Sequence, residues 1–120
     1  MDDKVTRLIS AALKQTESGE LGWKAFDEET FSAMIGPGTV QIFRSYTKID
    51  DDDGGLRPST AYSIQLLDKK SQVIDDWEFN EVEMNNFMLV DSLFRAARKA
   101  AYGSNKVLDE MLSALEAGKK

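Results

Sequence analysis

Apolar residues recur at helical spacing near both ends of this chain and alternate with polar ones between them. Val5, Leu8, Ile9, Ala12 and Leu13 form one stripe, which predicts a helix from about Asp3 to Glu17. Asp2 or Asp3 can cap its first amides, and Gly19 provides the stop. Trp23 follows a short turn and is placed to plug the end of the core beneath this helix.

A β region comes next. Phe31 to Ile35 reads as a strand, with room for a short one before it at Trp23–Phe26. Gly36-Pro37-Gly38 is a turn. Thr39 to Ile49 is a long strand, with Val40, Ile42 and Tyr46 on one face and Gln41, Phe43, Ser45 and Thr47 on the other. Ser59 to Leu67 alternates more cleanly, setting Tyr62, Ile64 and Leu66 against Ser63 and Gln65. Asp68-Lys69-Lys70-Ser71 is a turn, and Gln72 to Phe79 is the last strand. Strands joined by such short turns pair antiparallel as a meander, and its apolar face calls for a covering of helices.

A second helix is predicted from about Glu81 to Tyr102, with Asn80 as N-cap and Glu83 where a capping-box acid sits. Phe87, Val90, Phe94, Ala97 and Ala101 are its buried stripe, and Gly103 ends it. Ser104 can cap a third helix running to about Ala117, with Val107, Leu108, Met111, Leu112 and Leu115 as its apolar face. The fold class is therefore α+β: an N-terminal helix, an antiparallel meander of three or four strands, and two C-terminal helices packed with the first on one face. Residues 1–117 form a single domain and 118–120 a frayed tail. Trp23, Trp77, Phe79, Phe87 and Phe94 are expected to dominate the core.

Composition changes this picture chiefly by exclusion. The 120 residues contain neither histidine nor cysteine. Without His there is no catalytic triad of the usual kind and no imidazole proton shuttle. Without Cys there is no thiolate nucleophile, no disulfide and no Cys-ligated zinc or iron–sulfur site. The formal net charge of −6 opposes nonspecific binding to nucleic acid or an anionic membrane, and suits solubility or a basic protein partner. Nothing after Met1-Asp2-Asp3-Lys4 reads as a secretory signal, and the longest apolar run, Phe87-Met88-Leu89-Val90, is far too short to span a bilayer. A cytoplasmic location is expected.

The order of elements, with Leu8-Ile9, Thr16, Gly19 and Trp23, then the meander, then Leu93 to Gly103 and Val107 to Leu115, resembles a loosely defined set of small bacterial α–β-meander–α–α proteins. In that set the penultimate helix ends in an Ala/Arg-rich segment and a short helix of the Val-Leu-Asp-x-Leu-Leu type follows. The resemblance spans nearly the whole chain but rests on packing motifs, so it carries over no functional residue. It implies an accessory role, since some members belong to mobile or defence-related loci. The acidic loop at Asp50–Gly55 is longer than the resemblance leads one to expect.

That loop, Asp50-Asp51-Asp52-Asp53-Gly54-Gly55, invites a calcium reading. With Gly54 set at the sixth position of an EF-hand, Asp51 and Asp53 fall on ligand positions, but Ile49 at the first brings no side-chain oxygen and Thr60 at the twelfth is no bidentate acid, so both ends fail. A solvated hairpin loop fits better, its acids discouraging edge-to-edge pairing. Asp75, Asp76 and Glu78 surround Trp77, yet alternation sets Asp76 and Glu78 on one face, opposite Trp77 and Phe79, as in an ordinary polar-out strand. The second helix, Gly103 and the third helix resemble a helix-turn-helix, but Asp109, Glu110 and Glu116 oppose approach to phosphates.

These readings converge on a non-catalytic protein-binding or accessory module, immunity-like and self-associating, with no metal and no cofactor. Its partner is another protein or a second copy of itself as a homodimer. Met34, Phe43 and Ile74 are the candidate interaction face on the uncovered side of the sheet, and Arg95, Arg98 and Lys99 a candidate anion or partner patch. The alternatives are a small-ligand binder and a helix-turn-helix-like nucleic-acid binder.

Overall fold

The computed structural model describes residues 3–118, the side chains of Ser104 and Asn105 excepted. The expectations for an Asp2 cap, a Ser104 side-chain cap and the tail at Lys119-Lys120 lie outside the described residues. The elements are α1 (Asp3–Glu17), β1 (Lys24–Asp27), β2 (Thr30–Ile35), β3 (Gly38–Asp50), β4 (Leu56–Leu67), β5 (Val73–Asn80), α2 (Met84–Tyr102) and α3 (Ser104–Ala117). The strands form one antiparallel sheet in the order β1-β2-β3-β4-β5, so every connection is a local hairpin.

Register follows the alternation of side chains. One rung joins Phe31, Ile42, Ile64 and Trp77 across four strands, and the next on the same face joins Ala33, Val40, Leu66 and Asp75. A slip of one residue would turn this whole apolar set to solvent, which is why the register is specified. α2 lies across this face within reach of all five strands, and α1 packs on α2. Phe94 packs edge-on to Phe31 and tilted against Tyr62 at the centre of the core. Val5, Ile9 and Ala12 of α1 join the same buried cluster. Trp23 sits at its end as expected: its indole Nε1 donates to Thr16 Oγ1 at 2.8 Å, and the Thr16 hydroxyl donates to the Ala12 carbonyl at 2.6 Å.

Four expectations are corrected. The sheet has five strands rather than three or four: the short strand allowed for at Trp23–Phe26 is present as the edge strand β1, exposed along its whole length. α2 starts at Met84, not Glu81, because β5 continues through Asn80, which still pairs with Ala61. Asn80 is therefore no helix cap. Its side chain accepts from the Val82 amide at 3.0 Å and shapes the turn between strand and helix. Trp77 and Phe87 only flank the core, while Tyr62 and Phe31 are fully buried within it. Finally, α3 does not cover the sheet. It approaches no element except α2, and the radius of gyration, 17.2 Å, exceeds the roughly 14 Å of a compact domain this long.

Candidate functional site

α3 exists because Val107, Leu108, Met111, Leu112 and Leu115 fall on one side of a helical wheel. In a folded chain such a stripe is normally the buried side. Here all five residues are between 48% and 67% exposed. The cause is the connection. A single residue, Gly103, separates α2 from α3, with φ +62° and ψ +42°. This left-handed glycine closes α2 by donating its amide to Ala100 O. Two antiparallel helices need a longer link, about 2–5 residues, so α3 cannot fold back along α2.

At the root of α3 the basic residues converge. Arg95, Arg98 and Lys99 line a groove of about 570 Å³ beside Tyr102, Val107 and Leu108. Arg95 and Lys99 also border a second groove of about 780 Å³, which runs between the α1 end near Thr16–Gly22 and the Ala96 and Ala100 side of α2. The two residues thus form a ridge between grooves. Arg95 Nε meets Asp91 Oδ2 at 2.9 Å, one turn earlier on the helix. Arg98 lies close enough to Glu29 to favour its ionised form. Lys99 makes no ion pair among the described residues. The three residues singled out from sequence are therefore brought together, with their charges matched to different degrees.

Met34, Phe43 and Ile74 are not brought together. Met34 and Phe43 share the uncovered sheet face but pair with Thr39 and Thr30, two rungs apart. Ser32, Gln41, Gln65 and Asp76 make up one rung between them, and Gln41 Nε2 donates to Gln65 Oε1 at 3.5 Å. Ile74 is the unpaired extra residue of a bulge on edge strand β5, where Leu66 faces Asp75 and Leu67 faces Val73. This face is polar with isolated apolar residues, unlike the continuous stripe on α3.

One polar constellation escaped sequence reasoning. Arg44 stands on the helix-facing side of β3, with its guanidinium 4.7 Å from the Phe94 ring centre. Its Nε and Nη2 donate to the two carboxylate oxygens of Glu29 at 2.6 and 3.1 Å. That bond holds the Glu29 carboxyl below its usual range and the guanidinium firmly protonated. Beside it, the Tyr62 hydroxyl donates to Asp91 Oδ1. Burial first, and this bond second, push the Tyr62 phenol well above its ordinary value. It is a fixed hydrogen-bond donor. Arg44 and Tyr62 are direct cross-strand partners, a relation that only the register reveals.

The acidic loop is occupied with building itself. Asp51 Oδ1 accepts from the amides of Asp53 at 2.9 Å and Gly55 at 3.0 Å. Asp76 and Glu78 lie on the face opposite Trp77 and Phe79, as alternation predicts. Among the described residues no group of three or more acidic side chains is arranged to hold a metal ion, and no helix is long and apolar enough to cross a membrane.

This geometry defines an α+β protein with a five-stranded meander, one covering helical layer and a projecting C-terminal helix. No protein-family model, curated protein or solved structure matches the chain.

Proposed function

We propose that this chain is a non-catalytic protein-binding module that offers α3 as its contact helix. The observation that carries this reading is the α3 stripe, five large apolar side chains on one helix that no other described residue covers. An amphipathic helix docking through i, i+4 and i+8 anchors is a recurrent mode of protein recognition. The flanks of the stripe are acidic, with Asp109, Glu110 and Glu116 against a single Lys106, which disfavours phosphate and favours a partner with basic residues beside an apolar strip. The resemblance to accessory proteins of mobile or defence loci supports an accessory, immunity-like role.

The test is a comparative capture from the source lysate with intact protein and Leu112→Glu as baits. A protein held in stoichiometric amount by the intact chain and lost with the variant supports α3 as the contact helix. Equal recovery by both baits rejects it.

A further inference from the structure

We infer that the occupant of the α3 stripe is a second copy of this chain, whose own α3 is received in return. This rests on the protein-binding reading of α3 and names its partner.

Three observations carry it. First, the one-residue link at Gly103 denies α3 a place along its own α2, and no other described element of the chain packs against it, which leaves the stripe open to a second molecule. Second, the charges are self-complementary. α3 carries Asp109, Glu110 and Glu116, and the groove between α1 and α2 at its root is bordered by Arg95, Lys99 and Lys106 against a single Glu17. One copy thus supplies an acidic apolar helix and a basic cleft, and a second copy supplies the same pair. Third, the area suffices. Five side chains about half exposed, with Tyr102 beside them, offer on the order of 500 Å² per copy. Reciprocal insertion counts each helix and each receiving groove, which brings the total above the roughly 1,000 Å² that a specific interface needs.

The receiving surface is the groove between α1 and α2. Its α2 wall is made by Ser92, Arg95, Ala96, Lys99 and Ala100, and the methyl side chains of Ala96 and Ala100 leave room there for an incoming helix. Leu21 lies among its lining residues and offers an apolar contact, and Lys99, which makes no ion pair among the described residues, lies beside the path of the incoming acids. Each α3 leaves its own chain at Gly103, itself on the border of this groove. Two copies related by a twofold axis can therefore exchange helices reciprocally, a closed arrangement that does not propagate.

The experiment is sedimentation of the intact chain over a wide micromolar range, with Leu112→Glu and Ala100→Trp measured alongside. Both substituted residues are exposed in the single chain, and circular dichroism checks that each variant folds. The intact chain is expected at twice its 13.4 kDa mass. Leu112→Glu is expected to weaken association on the order of a hundredfold by removing an apolar anchor. Ala100→Trp is expected to give folded monomer by filling the groove. Added salt is expected to weaken the intact dimer. A monomeric intact chain at every concentration overturns the proposal, as does a dimer that survives Leu112→Glu. A dimer sensitive to Leu112→Glu but indifferent to a folded Ala100→Trp overturns the reciprocal docking. A monomer whose lysate capture still depends on Leu112 sinks the self-pairing and leaves the protein-binding reading standing.

Discussion

Two aspartates do the same work in this molecule. Asp51 and Asp68 each open a tight hairpin loop. Each accepts, through Oδ1, the amides two and four residues later, and each backbone carbonyl accepts the amide three residues on. The third residue after each aspartate has positive φ: Gly54 at +81° and Ser71 at +64°. The acidic run between β3 and β4 thus draws the eye for its charge, while the residue that matters is one carboxylate used as a turn former. Ser71 takes up a conformation that suits glycine. Ser71→Gly is expected to stabilise the protein by about 0.5–1 kcal/mol, and Gly54→Ser to destabilise it similarly, in urea unfolding.

Tyr62 makes the stability of the fold depend on pH. The folded state keeps the phenolic proton above pH 10, where the unfolded chain gives it up. The unfolded state then binds fewer protons, so stability must fall as pH rises beyond about 10. Of the three tyrosines, Tyr46 and Tyr102 are exposed. Ultraviolet titration of the intact chain against Tyr62→Phe is expected to show the Tyr62 phenol ionising only as the protein unfolds. Ionisation of Tyr62 while the protein is still folded would refute this assignment.

At the scale of elements, α2 and α3 divide the work of the C-terminal region. Val90, Leu93, Phe94 and Ala97 of α2 are buried, and this helix alone reaches every strand. α3 adds nothing to the buried cluster. With 14 residues it is also close to the length at which an isolated helix is marginal in water, so it depends on being covered. Ending the chain at Gly103 retains the cap of α2. This truncation is expected to lower the Tm of the monomer by less than about 5 °C and to abolish its dependence on protein concentration. A larger loss in dilute solution would show that α3 supports the core. Sequence gave no sign of this division, since the α2 and α3 stripes are equally regular.

The molecule as a whole is elongated, 59 × 44 × 23 Å. The short dimension is the thickness of a sheet with one helical layer. The paired β3 and β4 strands, running out to Asp50 and Leu56, and the projecting α3 account for the length. A surface so large for its chain length leaves apolar residues uncovered, and on α3 they are contiguous. Reciprocal exchange of α3 would bury that stripe without altering the sheet, so the dimer and the monomer are expected to share the same register and the same Tyr62 environment.

Much of this was determined by the sequence itself. Helical spacing, strand alternation and the glycines and aspartates of the turns are local signals, and they placed most elements and one sheet face correctly. The absence of histidine and cysteine restricted the available chemistry with no help from the fold. Tertiary structure decided what periodicity cannot express. A stripe reports that one side of a helix is apolar, not what covers it, so α2 and α3 look alike until the single-residue link at Gly103 sends one onto the sheet and the other into solvent. The pairing of Arg44 with Tyr62 and the reach of Arg44 to Glu29 are likewise products of register. Local pattern sets which faces are apolar, and the three-dimensional path of the chain sets which of them meet.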